Sequence, residues 1–149
     1  MKEINNYLNY PFDIQSLIKK RKKIINHLLK NSNLKEIKIA VISGSTSNEI
    51  ISYLEIFLLH KGFKPQFYQT NFDIYIENII NNDINIIKFK PDIIYIYTSI
   101  KNILYEPEVL ENNINVKKNI KKELKTYTNT WKKIKKFSNA IIIQNNFEL

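Results

Sequence analysis

The fold is indicated most clearly by the segment Ile39-Ala40-Val41-Ile42-Ser43-Gly44-Ser45-Thr46-Ser47-Asn48. Its first four residues form an apolar run typical of a buried strand, and a helical pattern begins near Glu49. A buried strand that ends in a small, hydroxyl-rich turn and leads into a helix is typical of the first crossover of a parallel α/β fold. In such folds this turn lies at the carboxyl edge of the sheet, where ligands bind.

The turn from Ser43 to Asn48 supports two interpretations. Backbone N–H groups at the start of a helix can bind an anion, and Ser45 or Thr46 offers a hydroxyl for chemistry. Alternatively, Thr46 and Glu49 form a capping box, in which their side chains accept hydrogen bonds from the free backbone N–H groups at the start of the helix. The turn would then have a structural role only. Taken by itself, the turn favours the capping interpretation.

The composition excludes several classes of function. The 149 residues suit one domain that can bury a core. There is no cysteine, which excludes disulfides, thiolate nucleophiles and cysteine-ligated metals. The two histidines, His27 and His60, do not form a His-x-x-x-His pair, and we expect no metal site. Neither a signal peptide nor a membrane-length apolar run is visible, so we expect a cytoplasmic protein without a membrane partner.

The formal net charge of +9 would suit nucleic acid or another acidic partner. However, Arg21 is the sole arginine, and Asn, Ile and Tyr are abundant while there are only two glycines. These are the residues that an AT-rich genome favours. Because sequence-specific DNA readers rely on arginine to recognise guanine, we expect no nucleic-acid partner.

Hydrophobic periodicity predicts a leading helix followed by alternating strands and helices. The leading helix begins at Asp13, its N-cap, and ends near Asn31. The four predicted strands occupy residues 37–42, 66–69, 93–98 and 140–143, and helices are predicted after Glu49, from Asp73 and over residues 115–137. This order predicts an α/β three-layer sandwich of the flavodoxin-like or SGNH-hydrolase type, with a mostly parallel four-stranded sheet.

Two of these helices carry specific expectations. The helix after Glu49 is expected to end before a left-handed Gly62 and to place Ile50, Leu54, Phe57 and Leu58 on one face. The longest helix carries a stripe that we expect to face the core, formed by Val116, Ile120, Leu124, Tyr127, Trp131 and Ile134.

The predicted organisation is a lead-in and helix over residues 1–34, followed by the first part of an SGNH-like domain over residues 35–149. Domains of this type usually add another helix and a fifth strand, so we expect this one to be incomplete at its carboxyl end. The last strand would then leave apolar surface uncovered, and we expect the chain to self-associate.

The carboxyl ends of parallel strands meet at one edge, which makes that edge the predicted ligand site. Neither a dinucleotide-binding glycine pattern nor a P-loop occurs, and no obvious base accompanies the hydroxyls. The candidate binding residues at this edge are Ser43, Gly44, Ser45, Thr46, Asn48, Thr98, Ser99 and Asn145.

Several segments resemble, in the same order, those of FkbH-like proteins. The resemblance is carried by Lys38–Asn48, Tyr53–Leu58, Phe89–Ile94, Trp131 and Ile142–Glu148. It implies an SGNH-like amino-terminal domain that precedes a phosphatase-like domain of the HAD superfamily, subfamily IIIC. Such proteins load a glyceryl unit from 1,3-bisphosphoglycerate onto an acyl carrier protein and remove phosphate.

The resemblance also implies roles for individual residues. Ser45 matches the position of the SGNH nucleophile, and Gly44 and Asn48 match its neighbours. Ser43 departs from the family, which usually has glycine there. Asn102 stands near the position of the SGNH oxyanion-hole asparagine.

Two absent motifs argue against catalysis by this chain. The Asp-x-Asp-x-Thr/Val motif of HAD phosphatases does not occur, so Mg²⁺ is expected only in a further domain. The Asp-x-x-His element that would activate Ser45 is also missing. We therefore expect a non-catalytic amino-terminal part, whose partners are an acyl carrier protein or the HAD domain and a phosphorylated small molecule. The alternatives are a stand-alone module that binds phosphate or flavin, and an esterase that a missing segment or partner completes.

Overall fold

The structure is a computed structural model, and it describes residues 7–70 and 84–146. The helix predicted from Asp73 and the segment after Asn146 lie outside the described residues. The described elements, in chain order, are α1 (Ile14–Leu28), β1 (Lys35–Ser43), α2 (Asn48–His60), β2 (Phe63–Gln69), α3 (Ile84–Phe89), β3 (Ile93–Tyr97), a short 3₁₀ turn (Ile100–Asn102), α4 (Asn113–Phe137) and β4 (Ile141–Gln144).

The four strands form one sheet in the order β2-β1-β3-β4. The sheet is entirely parallel, so the predicted α/β class, consistent with a flavodoxin-like sandwich, is confirmed. β1 and β3 are adjacent and central, and Ile39 pairs with Ile93 and Ser43 with Tyr97. Residues 39–43 of β1 are all buried, which explains why this strand is a continuous apolar run rather than an alternating one.

The chain divides into two compact units, of which the first lies within Met1–Ile37 and Ser47–Gln66. Its core joins α1 to α2 through Leu17, Ile24 and Ile56. The predicted N-cap is confirmed, because the Asp13 carboxylate accepts a hydrogen bond of 3.0 Å from the Ser16 N–H. The predicted left-handed glycine is confirmed as well, since Gly62 has φ +87°.

The most buried side chains of α2 are not the four that are predicted to share one face. The fully buried side chains are Ile56 and Leu59, whereas Ile50, Leu54, Phe57 and Leu58 are only partly buried. The helix is apolar around most of its circumference, so periodicity alone does not single out one face.

The second unit lies within Lys38–Thr46 and Phe67–Leu149. Side chains from one face of β1 and β3 pack with residues of α3 and α4 to form its core. The fully buried members of this cluster are Ala40, Ile42, Ile86, Ile94, Ile96 and Ile134.

The apolar stripe of α4 is the main departure from expectation. Ile134 is buried, but Ile120, Leu124 and Trp131 are 46%, 58% and 40% exposed. The helix has 25 residues and is therefore about 37 Å long, whereas the five residues of β3 span about 17 Å. Because the helix is much longer than the strands that it covers, only its carboxyl-terminal part is buried. Within the described ranges, no helix combines the length and apolar character needed to cross a bilayer.

Candidate functional site

Most of the predicted site residues of the second unit lie at the carboxyl ends of β1 and β3 and on the loops that follow them, and Asn145 follows β4. The parallel pairing of these strands brings the two loops together, and the Gly44 N–H donates to the Tyr97 carbonyl at 2.9 Å. Ser43, Gly44, Ser45 and Thr46 lie on one side of this junction. Thr98, Ser99 and Asn102 lie on the other.

The amide of Asn102 connects the two loops. Its Nδ2 donates to the Gly44 carbonyl at 2.8 Å, and its Oδ1 accepts from the Ser99 N–H at 2.8 Å. The Ser99 hydroxyl lies 3.4 Å from the same Oδ1. A Cβ atom on Gly44 would lie only 2.4 Å from Asn102 Nδ2, so the amide occupies the space that a side chain at position 44 would need. Gly44 is therefore required for this close approach.

Ser43, which stands where the resemblance leads us to expect glycine, stabilises the turn itself. The side chain is fully buried, and its hydroxyl donates to the Ser45 carbonyl. The same oxygen accepts from the Ser45 N–H at 3.3 Å. This N–H, a candidate anion donor, is therefore already engaged within the turn.

The Ser45 hydroxyl has no hydrogen-bond partner among residues 7–70 and 84–146. His27 and His60 both belong to the first unit, where each lies in the last turn of its helix. The unit that carries Ser45 contains no histidine at all. Among the described residues, this hydroxyl therefore makes no hydrogen bond to a side chain that could accept its proton.

The capping-box interpretation of the turn is wrong. The N-cap of α2 is Ser47 rather than Thr46, and its side chain makes no capping hydrogen bond. Thr46 is exposed, and so is Asn48, the first residue of α2. Asn48 belongs to the first unit, and its carbonyl accepts from the Ser52 hydroxyl at 2.7 Å.

Asn145 fixes the end of β3 to the end of β4. Its Oδ1 accepts from the Thr98 N–H at 2.9 Å, and its Nδ2 donates to the Thr98 carbonyl at 2.6 Å. Gln144 adds a third link, since its Nε2 lies 3.4 Å from the buried Thr98 hydroxyl. The amide of Asn145 thus satisfies backbone groups of the protein, and its role in ligand binding stays a prediction.

Two further residues support this edge and were not identified as site residues from the sequence. The Tyr127 hydroxyl lies 3.3 Å from the Asn102 carbonyl and connects α4 to the 3₁₀ turn. The Thr70 hydroxyl, after β2, is buried and has no hydrogen-bond partner among the described residues. The spacing of Tyr127 places it in the apolar stripe of α4. No local pattern reveals the bond of Tyr127, because its partner is 25 residues away.

The hydrogen bonds of this edge join neutral groups only. Nearby on β3, burial raises the pKa of the Tyr95 hydroxyl, and the charge of Tyr97 raises it further. The described residues include no cluster of three acidic or histidine side chains that could hold a metal. The arrangement can donate and accept hydrogen bonds.

The fold is similar to that of a solved bacterial structure. This is the crystal structure of the N-terminal part of the protein BF1531 from Bacteroides fragilis, which contains a phosphatase domain and is complexed with Mg. The TM-score is 0.64 and the sequence identity 14%, and the match covers 87% of this chain and 33% of that chain. The present chain thus spans about a third of its neighbour's length. No family model and no curated protein matches the sequence.

Proposed function

We propose that this chain is the amino-terminal part of an FkbH-like protein, which loads a phosphoglycerate-derived glyceryl unit onto an acyl carrier protein. Two observations support this: the ordered resemblance of five segments, and a structural neighbour that is itself the N-terminal part of a longer protein with a phosphatase domain. In this proposal the Mg²⁺-dependent phosphatase chemistry belongs to a further HAD-type domain. The present part binds the phosphorylated substrate.

The unpartnered hydroxyl of Ser45 is the observation that carries the non-catalytic role. A serine hydroxyl is a weak nucleophile at neutral pH until a base accepts its proton. General-base assistance typically contributes about 10²- to 10⁴-fold. The second unit offers no histidine for this purpose. Ser45 is therefore proposed to act as a hydrogen-bonding ligand.

The binding role follows from how firmly the turn is held. Asn102 fixes Gly44, and Ser43 fixes the backbone of Ser45, so the loop that carries the Ser45 hydroxyl is preorganised. Preorganised donors bind phosphoryl or carbonyl oxygens with little ordering cost. Ser99 lies on the neighbouring loop, bonded to the same asparagine, and lines the same edge.

A turnover assay tests the absence of catalysis. The chain and its Ser45→Ala variant are given p-nitrophenyl acetate and p-nitrophenyl phosphate, with Ser52→Ala as the matched control outside the turn. We expect the same negligible rates from all three proteins. Turnover that Ser45→Ala abolishes and Ser52→Ala preserves would contradict the proposal and favour the esterase alternative.

A titration followed by amide NMR tests the binding role separately. With 3-phosphoglycerate as the probe, we expect concentration-dependent shifts at Gly44, Ser45 and Ser99 that Ser45→Ala weakens. Ser52→Ala should leave these shifts unchanged. Shifts that appear only with flavin mononucleotide would favour a flavin-binding module, and an unchanged spectrum with both ligands would refute a ligand site at this turn.

A further inference from the structure

A small cavity lies between α1 and α2, within the first compact unit. Its volume is about 170 Å³. The inner part of the cavity is apolar, because Leu17 and Ile56 line it and both are buried. An engineered apolar cavity of about 150 Å³ holds a molecule of the size of benzene. The cavity between α1 and α2 therefore has room for one short, branched apolar group.

Side chains of opposite charge line the same cavity. Arg21 belongs to α1 and is partly exposed, and Glu49 belongs to the first turn of α2 and is exposed. The two are not paired with each other, since the Arg21 guanidinium bonds Glu55 Oε2 at 3.0 Å. Among residues 7–70 and 84–146, Glu49 makes no ion pair. A ligand in the cavity can therefore meet a positive group on one helix and a negative group on the other.

Arg21 is the sole arginine of a chain that otherwise uses lysine for its positively charged side chains. A guanidinium presents several N–H donors in one plane, whereas an ammonium is a compact point charge. Its Nη2 donates to Glu55, and its buried Nε has no hydrogen-bond partner in the part of the chain that the structure describes. Buried donors are nearly always hydrogen-bonded. The guanidinium can therefore keep its bond to Glu55 and still donate to a carboxylate in the cavity.

We propose that this cavity binds a free α-amino acid with a branched aliphatic side chain, such as leucine. The carboxylate of the amino acid accepts from Arg21, its ammonium group meets Glu49, and its side chain packs against Leu17 and Ile56. A simple anion would leave the Glu49 carboxylate beside it without a partner, and a simple cation would leave the remaining donors of Arg21 unused. A zwitterion meets both charges. The site lies in the first unit, whereas Ser45 lies in the second, so this inference does not depend on the proposed function.

The probe is leucine itself, and methyl NMR of Ile18 and Ile56, which both line the cavity, reports on its binding. Leucinamide keeps the ammonium group but lacks the carboxylate, and 4-methylpentanoate keeps the carboxylate but lacks the ammonium group. The titrations are made at about pH 6.5, where the α-amino group is charged. Because a partly exposed charge pair changes an affinity by up to about fivefold, we expect leucine to bind about fivefold more tightly than either comparison compound.

Variants that remove one charge each assign the two ends of the ligand. Arg21→Gln should bind leucine about fivefold more weakly and should not weaken the binding of leucinamide. Glu49→Gln should weaken leucine to the same extent and should not weaken the binding of 4-methylpentanoate. Glu36→Gln is the matched control, because it breaks the 3.6 Å ion pair with Lys64 in the same unit but does not line the cavity. It should bind all three compounds like the wild type.

Three results would overturn the proposal. The first is an absence of leucine-dependent shifts at the methyl groups of Ile18 and Ile56. The second is leucine that binds no more tightly than both comparison compounds, since the zwitterion would then have no advantage. The third is an equal effect of Arg21→Gln and Glu36→Gln on leucine binding. Urea unfolding of each variant shows that it is folded, which is expected because the altered side chains are partly or fully exposed.

Discussion

Replacing Gly44 by alanine tests whether the Asn102 amide fixes the site. The new Cβ would lie 2.4–2.7 Å from Nδ2, Cγ and Oδ1 of Asn102, all within the amide group. The amide can rotate away, but it then loses its 2.8 Å bonds to the Gly44 carbonyl and the Ser99 N–H. The cost of the substitution is therefore mainly that of broken hydrogen bonds, with a contribution from local overpacking.

The expected loss in the free energy of unfolding is the sum of the broken hydrogen bonds and the overpacking. Each lost hydrogen bond costs about 1 kcal/mol, and the overpacked loop adds roughly 1 kcal/mol. Gly44→Ala should thus lower the free energy of unfolding by about 3 kcal/mol. Asn102→Ala removes the same two bonds without a clash and should cost about 2 kcal/mol.

A double-mutant cycle separates this mechanism from a general intolerance of the turn. Once Asn102→Ala has removed the amide, Gly44→Ala should cost less than about 1 kcal/mol, which gives a coupling of about 2 kcal/mol between the sites. Urea unfolding followed by Trp131 fluorescence and by circular dichroism measures all four proteins. Additive costs would refute the reasoning, as would a Gly44→Ala variant as stable as the wild type.

Other predictions concern the core, the sheet edge and a helix cap. Ile134→Ala should lower the free energy of unfolding by about 2–5 kcal/mol, whereas Leu124→Ala on the exposed stripe should change it by about 0.5 kcal/mol or less; urea unfolding distinguishes the two. Burial raises the pKa of Tyr95 in the folded state, so its stabilising contribution is complete below about pH 10 and is lost as the pH rises through the folded-state pKa. Tyr95→Phe should therefore lose less stability than the wild type between pH 8 and pH 11, and equal losses would contradict this assignment. Asn112→Ala, which removes the side-chain acceptor of the Ile114 N–H at the start of α4, should cost about 1 kcal/mol in thermal or urea unfolding.

Local sequence was sufficient to predict elements whose signals lie within a few residues. The apolar run of β1 indicated a buried parallel strand, because both faces of such a strand are covered. The run of β3 indicated a parallel strand as well, but only its Ile94 and Ile96 are fully buried. The N-cap at Asp13 and the left-handed Gly62 are similarly local, since each reflects the conformation of one residue and its helix end. The turn after β1 was correctly placed at the carboxyl edge of the sheet, because parallel topology alone requires it.

The tertiary structure alone determined which groups meet at that edge. Asn102 is hydrogen-bonded to Gly44, which is 58 residues away in the sequence, and Asn145 is hydrogen-bonded to Thr98, which is 47 residues away. Periodicity cannot reveal such pairs, because it reports only which residues share a face of one element. The same limit explains the exposure of Ile120 and Leu124: their spacing marks an apolar stripe, but whether that stripe is buried depends on how far the sheet extends beneath the helix. A side chain's partner depends on the packing of distant segments, and the sequence near that side chain does not encode it.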